Sequence, residues 1–288
     1  MNDADGISKS ETVGRVNIDE GTVASFGDEW SNFDQSNDDE ELHGLFRRYF
    51  QLFPWDRLPS DPEGFDMGCG SGRWARYVSP RVGRLNCIDA SDQALQVARR
   101  NLGDFSNVRF INAAANSTPL KSASQDFGYS LGVLHHIPDT SSALMACVAL
   151  LKPGAPFLLY LYYRFDNRPL WFRLVWRASD LLRSQVSRLP SKLKRYVTDS
   201  LALAVYWPLA RFLRLLERLG LNVHNLPLSG YRHLSFYTMR TDSRDRFGTP
   251  LERRFTRSEI HSMMQAAGLV RIVFSEGEPY WCAVGIKG

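Results

Sequence analysis

The sequence predicts an α/β fold: a mostly parallel sheet covered by helices, carrying a helical insertion. Three observations predict it. Between Gly64 and Tyr163 short apolar runs alternate with helical stretches, as in strands joined by crossover helices. The stretch GFDMGCGSGRW, residues 64–74, places four glycines just after the first of those runs, where an open α/β sheet binds its ligands. After residue 164 the alternation gives way to amphipathic helical patterning, and strand patterning returns only near the end of the chain.

Taken in order, the first twenty residues are polar and aperiodic, and we expect them to fray. From Glu41, residues Leu42, Leu45, Phe46, Tyr49 and Phe53 recur at helical spacing behind the acidic run NDDE, which suits a helix N-terminus. Pro54 or Pro59 ends that segment. A short strand ends near Met67, and a helix is expected from Gly72 to Val78. RLNCIDA follows as a strand, then the helix SDQALQVARRNL capped by Ser91 or Asp92. VRFINAA and FGYSLGV read as strands three and four, SSALMACVALL as a helix, and PFLLYLYY as strand five. Pro153-Gly154 marks the turn before it. Residues 164–240 read as two or three helices rich in Arg, Trp and Leu, broken by Pro190 and Pro208. Thr256 with Glu259 three residues on signals a capping box for the last helix. VRIVF and YWCAVGI then form an antiparallel hairpin that completes seven strands.

Composition bounds the function. With 288 residues, 44% of them hydrophobic, the chain can bury the core of one large domain with an elaboration. The N-terminus has no basic region followed by an apolar core, and the longest apolar run, LALAVYWPLA, is about half of a membrane crossing. A soluble, cytoplasmic protein is expected. Cys69, Cys87, Cys147 and Cys282 lack CxxC spacing, which argues against a zinc site or a disulfide framework. No metal is expected. The net charge of +4 hides an asymmetry: residues 1–63 carry 15 acids against 5 Lys or Arg, and residues 164–220 carry 12 Lys or Arg against 4 acids. The two regions face different partners, or each other.

Two cofactor classes compete for the glycine loop. A dinucleotide site wants G-x-G-x-x-G, but the spacing here is Gly68-x-Gly70-x-Gly72 and Arg73 stands where the third glycine belongs. A loop of this spacing, with Asp66 two residues before it, suits a ligand bearing an ammonium and a carboxylate. Backbone N–H groups would take the carboxylate, and Asp66 would attract the amine directly or through water. Asp89, at the end of strand two, is placed to accept ribose hydroxyls in either class.

On DMGCGSG (66–72), IDAS (88–91), QDFGYSLGVLHHIPD (125–139) and LKPGAPFLLY (151–160), the chain resembles the class I S-adenosylmethionine-dependent methyltransferases over roughly residues 22–163 and 250–286. The resemblance implies a Rossmann-like seven-stranded sheet with an antiparallel last strand, and S-adenosyl-L-methionine as cofactor. It implies that Asp66, Gly68, Cys69, Gly70 and Gly72 surround the methionine moiety. Asp89 would bind the ribose, Ala90 and Ser91 would lie near the adenine, and Leu131 and Gly132 would line the methionine tail. The family's acid after strand three falls on Ala114, so Ala115 and Asn116 are carried as adenine contacts. The implied organisation is a tail at 1–21, a helical cap at 22–63, the cofactor-binding core at 64–163, an insertion or lid at 164–249, and the rest of the core at 250–288.

Of the adjacent His135 and His136, at most one faces the acceptor as a general base, since neighbours at a strand end point to different sides. Both can instead cap and pack the turn. The strand-four turn reads HHIPD rather than an NPPY-like sequence, and the N-terminal segment is acidic, so no nucleic-acid partner is expected. The basic, apolar insertion reads as a lid, a homodimer contact or an interfacial surface on anionic lipid. A lid of that kind favours a small or medium organic acceptor of apolar or aromatic character, with O-methylation as the first reading. Trp30 either covers the sulfonium or acceptor or anchors the first helix. Tyr163, Tyr231, His233 and Tyr237 are acceptor-side candidates. A non-catalytic module binding S-adenosylmethionine is the alternative, and a nucleotide-dependent oxidoreductase is disfavoured by Arg73.

Overall fold

The computed structural model describes residues 17–32 and 39–288, without the side chains of residues 28–32 and 39. The expected frayed tail thus falls largely outside the described residues, as does the side chain of Trp30. The chain opens with α1 (Glu20–Asn32) and α2 (Asp39–Tyr49). Helix α1 has no counterpart in the apolar pattern. Asp19 nucleates it, its Oδ1 accepting the Thr22 N–H at 2.8 Å.

Strand β1 (Glu63–Met67) leads through the glycine loop into α3 (Ala75–Val78), and β2 (Arg84–Asp89) is followed by α4 (Asp92–Asn101), with Ser91 as N-cap. Then come β3 (Val108–Asn112), β4 (Phe127–Leu131), α5 (Thr140–Ala149) and β5 (Pro156–Tyr160). Helix α3 is far shorter than expected. Gly72 has a φ of +80°, so no right-handed helix can run through it.

Residues 164–249 hold α6 (Leu170–Val186), α7 (Ser191–Leu201), α8 (Trp207–Arg218) and α9 (Phe236–Gly248). Pro190 caps α7 as expected of a break. Pro208 breaks nothing: it sits in the first turn of α8, where its missing N–H is harmless, and a π-helical turn at Ala202–Tyr206 carries the chain continuously from α7. Helix α9 is the hub of this region, with α6, α7 and the π turn packed against it. Ser243 Oγ donates to the Thr198 carbonyl at 2.9 Å, and Lys194 Nζ to the Gly248 carbonyl at 2.9 Å. Glu41 on α2 accepts the Ser235 N–H at 2.7 Å and the Thr238 hydroxyl, tying the N-terminal helices to the start of α9.

Helix α10 (Arg257–Ala266) begins at the capping box formed by Thr256 and Glu259, and β6 (Leu269–Phe274) and β7 (Ala283–Lys287) complete the sheet. The strand order is β3-β2-β1-β4-β5-β7-β6, with β7 antiparallel to both of its neighbours. Side chains alternate across the sheet. Phe65, Met67, Phe157 and Leu159 enter the core under α5 and α10, while Phe127, Tyr129 and Leu158 enter the core under α2 to α4.

At the centre of the sheet Gly64 pairs with Phe127 and Phe65 with Gly128. Each ring covers the opposite glycine: a Cβ on Gly64 would lie 2.3 Å from the Phe127 ring, and one on Gly128 2.4 Å from the Phe65 ring. Gly64→Ala therefore overpacks a dry position. We expect a loss of about 1–3 kcal/mol in chemical denaturation, whereas Gly44→Ala, inside α2 where a Cβ meets nothing within 4 Å, should gain about 0.5–1 kcal/mol.

Candidate functional site

The carboxyl ends of β1, β2, β4 and β5 open into a cavity of about 740 Å³, roofed by α1, α6, α9 and the π turn. That volume lies within the range of ligand pockets, about 300–1,000 Å³. Two halves can be distinguished by their walls.

The first half is built on the glycine loop. Gly68 has a φ of +79°, and a Cβ there would stand 2.3 Å from Val133; at Gly72 it would stand 2.7 Å from Leu102. Glycine at 68 lets the loop lie against the β4 turn, and glycine at 72 lets it lie against α4. The loop N–H groups are already engaged. Gly68 and Cys69 donate to the Ile88 carbonyl at 2.7 and 3.0 Å, Gly70 to Asp89 Oδ2 at 2.9 Å, and Gly72 to the Cys69 carbonyl at 2.9 Å. The expectation that these N–H groups take a ligand carboxylate is corrected, because a donor holding one acceptor at that distance is spent. Arg73 lines the cavity beside the loop, its guanidinium 4.3 Å over the Trp74 ring and without an ion pair among the described residues. Sequence reasoning used Arg73 only against a dinucleotide and did not foresee this placement.

Asp89 is held by its bonds from Gly70 and from the Ser91 N–H at 2.8 Å, and lines the cavity beside Ala90, Ser91 and the floor Ala113 to Ala115. Burial raises its pKa, and the bonds from Ser91 and Gly70 oppose the rise. Cys69, Gly70, Leu131 and Gly132 also line this half. Asp66, Gly72 and Asn116 do not. Gly72 packs on α4, Asn116 is exposed, and Asp66, 1% exposed, points beneath the loop, so its influence on a bound ammonium comes from behind. Its Oδ2 is buried without a hydrogen-bond partner. Burial pushes the Asp66 carboxyl up to about 8, Tyr129 and Arg73 opposing and Asp89 adding.

The second half is aromatic and charged. Tyr160, Tyr162, Tyr163, Phe165, Trp176 and Tyr206 line it, with Tyr231 farther along. His136 is 4% exposed and faces the cavity, its ring edge against Phe26 of α1 at 4.9 Å. His136 Nδ1 lies 2.6 Å from the Leu251 carbonyl, which can only accept, so that nitrogen carries the proton. The Nε2 lone pair is left free, 3.7 Å from Asp245 Oδ1, and Tyr162 donates its hydroxyl to the other Asp245 oxygen. Burial raises the Asp245 pKa, with His136 and Tyr162 opposing. Asp242, one turn before it on α9, is raised by burial to about 6 against the pull of Arg73.

His135 is shut behind this wall, wholly buried with neither ring nitrogen partnered, its ring 3.9 Å from that of Tyr162. Burial, His136 and Arg254 hold its pKa well below the ordinary value, so it is a neutral packing residue. His233 is on the outside, paired with Glu217 at 2.7 Å, and Tyr237 does not line the cavity. Both acceptor-side assignments are corrected. Asp242, Asp245, Arg246 and Arg254 were missed because only the folding of α9 and the segment after it brings them to the sheet edge.

The site fits an amino-acid nucleoside. A buried carboxylate oxygen lies under the loop, an acid ends β2, small residues line an adenine-sized floor, and an uncommitted guanidinium stands beside the loop. Comparison with known proteins agrees. A family model described as methyltransferase domain matches residues 65–159. The chain is 28% identical over 148 residues to a ubiquinone biosynthesis O-methyltransferase of Saccharophagus degradans, covering 50% of this chain and 62% of that one. It is 32% identical over 93 residues to the protein of the same name from Nitrosospira multiformis, covering 31% and 38%. Aligned segments thus span about two fifths to three fifths of these relatives. A methyltransferase structure from Bacillus halodurans, so described with a query as to activity, superposes with a TM-score of 0.47 at 16% identity, covering 80% of this chain and 71% of that one. Residues 65–159 thus match a methyltransferase domain, and the parallel sheet with its antiparallel β7 agrees with that match.

The raised Asp66 pKa is also a stability statement. An unfolded aspartate ionises near its ordinary 3.8, whereas the folded, ligand-free chain keeps this proton to about 8. The folded state thus holds the extra proton between those values, and the stability it contributes is full below the lower one and lost as pH rises through the upper. Denaturation midpoints measured from pH 5 to 8.5 should fall more steeply for the wild type than for Asp66→Asn.

Proposed function

We propose that this chain, whose residues 65–159 form a class I methyltransferase domain, transfers a methyl group from S-adenosylmethionine to a hydroxyl of a small or medium organic acceptor with an aromatic or apolar body. The observation that carries this reading is His136. Its proton is fixed on Nδ1 by the Leu251 carbonyl, its Nε2 is buried without a hydrogen-bond partner, and the residue lines the cavity that also holds the glycine loop and Asp89. The names of the relatives, O-methyltransferases, support the same acceptor group.

The bound cofactor supplies an electrophilic methyl group on a sulfonium. Every other task falls to the chain. Asp89 orients the ribose, Arg73 pairs with the methionine carboxylate, and Asp66 adds favourable potential beneath the ammonium. His136 Nε2 takes the proton of the acceptor hydroxyl. Asp245 stabilises the imidazolium that results, while Tyr162 holds the Asp245 carboxylate in place. Tyr160, Tyr162, Tyr163, Phe165 and Trp176 give a flat acceptor a dry wall, so that much of the acceleration comes from alignment with the methyl group. A cytoplasmic setting is supported by four buried, unpaired cysteines.

We also infer that the lid rests on an anionic membrane surface. Among the described residues no helix is long and apolar enough to cross a membrane. Yet Leu170, Leu174 and Leu181 on α6, and Phe212 and Leu215 on α8 with Leu219 at its C-cap, form stripes more than half exposed, within a region of 12 Lys or Arg against 4 acids. Val175 and Val205 carry this exposed apolar surface to the rim of the cavity. A twofold contact between copies would bring the same basic face against itself, which favours lipid as the occupant.

Release of S-adenosylhomocysteine, followed by mass spectrometry on extracts and on phenolic or lipid-soluble hydroxyl compounds, tests the reaction. No release with any acceptor, despite tight S-adenosylmethionine binding, would make the chain a binding module instead. Two substitutions should separate the roles. His136→Gln should lower kcat about 10²–10⁴-fold with cofactor Kd unchanged. Arg73→Gln should weaken cofactor binding roughly tenfold or more, as loss of a charged hydrogen bond does. For the lid, vesicles rich in phosphatidylglycerol should sediment the protein at low salt, with about 1 kcal/mol per engaged basic side chain, and phosphatidylcholine vesicles should not. Leu174→Asp with Leu215→Asp should abolish the sedimentation, and equal binding to both vesicles would refute the electrostatic part.

A further inference from the structure

A second cavity lies on the far side of Trp176 and Arg254 from the first, between α6 and the segment that leads into α10. Arg164, Arg173, Arg177, Arg253 and Arg254 line it, with Asp166, Asp180 and Glu252. Asp166 and Asp180 are committed to partners outside this lining, and Glu252 is shared between one outside it and one within it. Asp166 accepts the Arg257 N–H at 3.0 Å and the Trp281 indole N–H at 2.8 Å. Asp180 pairs with Arg183 at 2.6 Å and Arg246 at 3.5 Å, and Glu252 with Arg246 at 2.5 Å and Arg254 at 2.7 Å. Two guanidiniums on Glu252 leave its surroundings net positive, although its Oε2 has no hydrogen-bond partner. Arg164 is held by Glu259 at 3.0 Å and by the Arg254 carbonyl.

Arg173, Arg177 and Arg253 remain, and none of them forms an ion pair among the described residues. A second observation is independent of charge counting. Arg173 Nε and Trp176 Nε1, both from residues lining this cavity, are buried donors without a hydrogen-bond partner. An unmade bond at such a donor is costly, so a group that only accepts is favoured there. Guanidinium has no acceptor and cannot shed its proton, so the mismatch persists at any working pH. Water satisfies donors, but it does not neutralise three guanidiniums.

We propose that this second cavity binds a phosphate group, free as a soluble phosphate ester or carried on a lipid. A phosphate offers several acceptor oxygens and at least one full negative charge, which answers both the orphaned donors and the uncommitted arginines. Arg173 and Arg177 flank the exposed stripe of Leu170, Leu174 and Leu181 on the same helix, so a phosphate here can belong to a molecule whose apolar part lies along α6. The site does not use the cofactor loop or His136. It stands or falls separately from the methyl-transfer reading.

Titration calorimetry of the full chain with inorganic phosphate tests it, with variants Arg173→Gln and Arg253→Gln compared by thermal melting for intact folding. Saturable binding by the wild type, weakened at least tenfold in each variant while S-adenosylmethionine binding stays unchanged, supports the site. Arg253 is exposed, so its replacement keeps the test decisive even if Arg173→Gln unfolds. No saturable binding, or equal affinity in the wild type and Arg253→Gln, overturns it. Competition then distinguishes the two sources within a positive result. Displacement of inorganic phosphate by phosphatidylglycerol vesicles assigns a lipid headgroup, and displacement by glycerol 3-phosphate alone assigns a soluble ester.

Discussion

The close approach of Gly68 to Val133 is the constraint on which the site depends. Two parallel strands, β1 and β4, must end side by side so that the loop after one lies against the turn after the other, and a Cβ at residue 68 would occupy the space of the valine. That approach sets the height of the loop above the sheet. It places the Gly70 N–H within reach of Asp89 and holds His136, three residues after Val133, at the far rim of the same cavity. Both halves of the cavity are therefore positioned by one contact of the Gly68 backbone with the Val133 side chain. Farther back along the same strands, the reciprocal cover of Gly64 by Phe127 and of Gly128 by Phe65 keeps β1 and β4 in register.

Much of this core was legible because each signal was local. Asp89 follows an apolar run, Ser91 and the Thr256–Glu259 box announce helix starts, and the glycine spacing excludes a dinucleotide. What stayed hidden was set by tertiary structure. Helix α9 buries Thr241, Ser243 and Arg244 as deeply as Met239, because neighbours surround it on several sides, so its sequence shows no apolar stripe to read. Asp242 and Asp245 were concealed with it. The role of the loop N–H groups was misread for a related reason: their partners, the Ile88 carbonyl and Asp89, belong to the next strand. Pro208 looked like a break because the sequence gives no sign of the π turn before it.

Charge behaves differently in the two halves of the cavity. Around the loop, burial leaves Asp66 protonated in the absence of a ligand, so a cation entering there meets a group able to respond to it. On the acceptor side, Asp245 is surrounded by His136 and Tyr162, each of which lowers the cost of its charge.

The lid leaves the sheet and returns to it at one narrow neck. The Arg164 N–H donates to the Phe255 carbonyl at 2.8 Å, and the Phe255 N–H to the Tyr162 carbonyl at 2.9 Å. Residues on either side of the excursion are thus clamped together whatever lies between them, and lengthening a closed loop adds little entropic cost. The neck makes residues 165–254 an exchangeable module: different helices can be hung on it without disturbing the strands that seat the cofactor. On the proposed function, acceptor choice can then diverge while the cofactor site is kept.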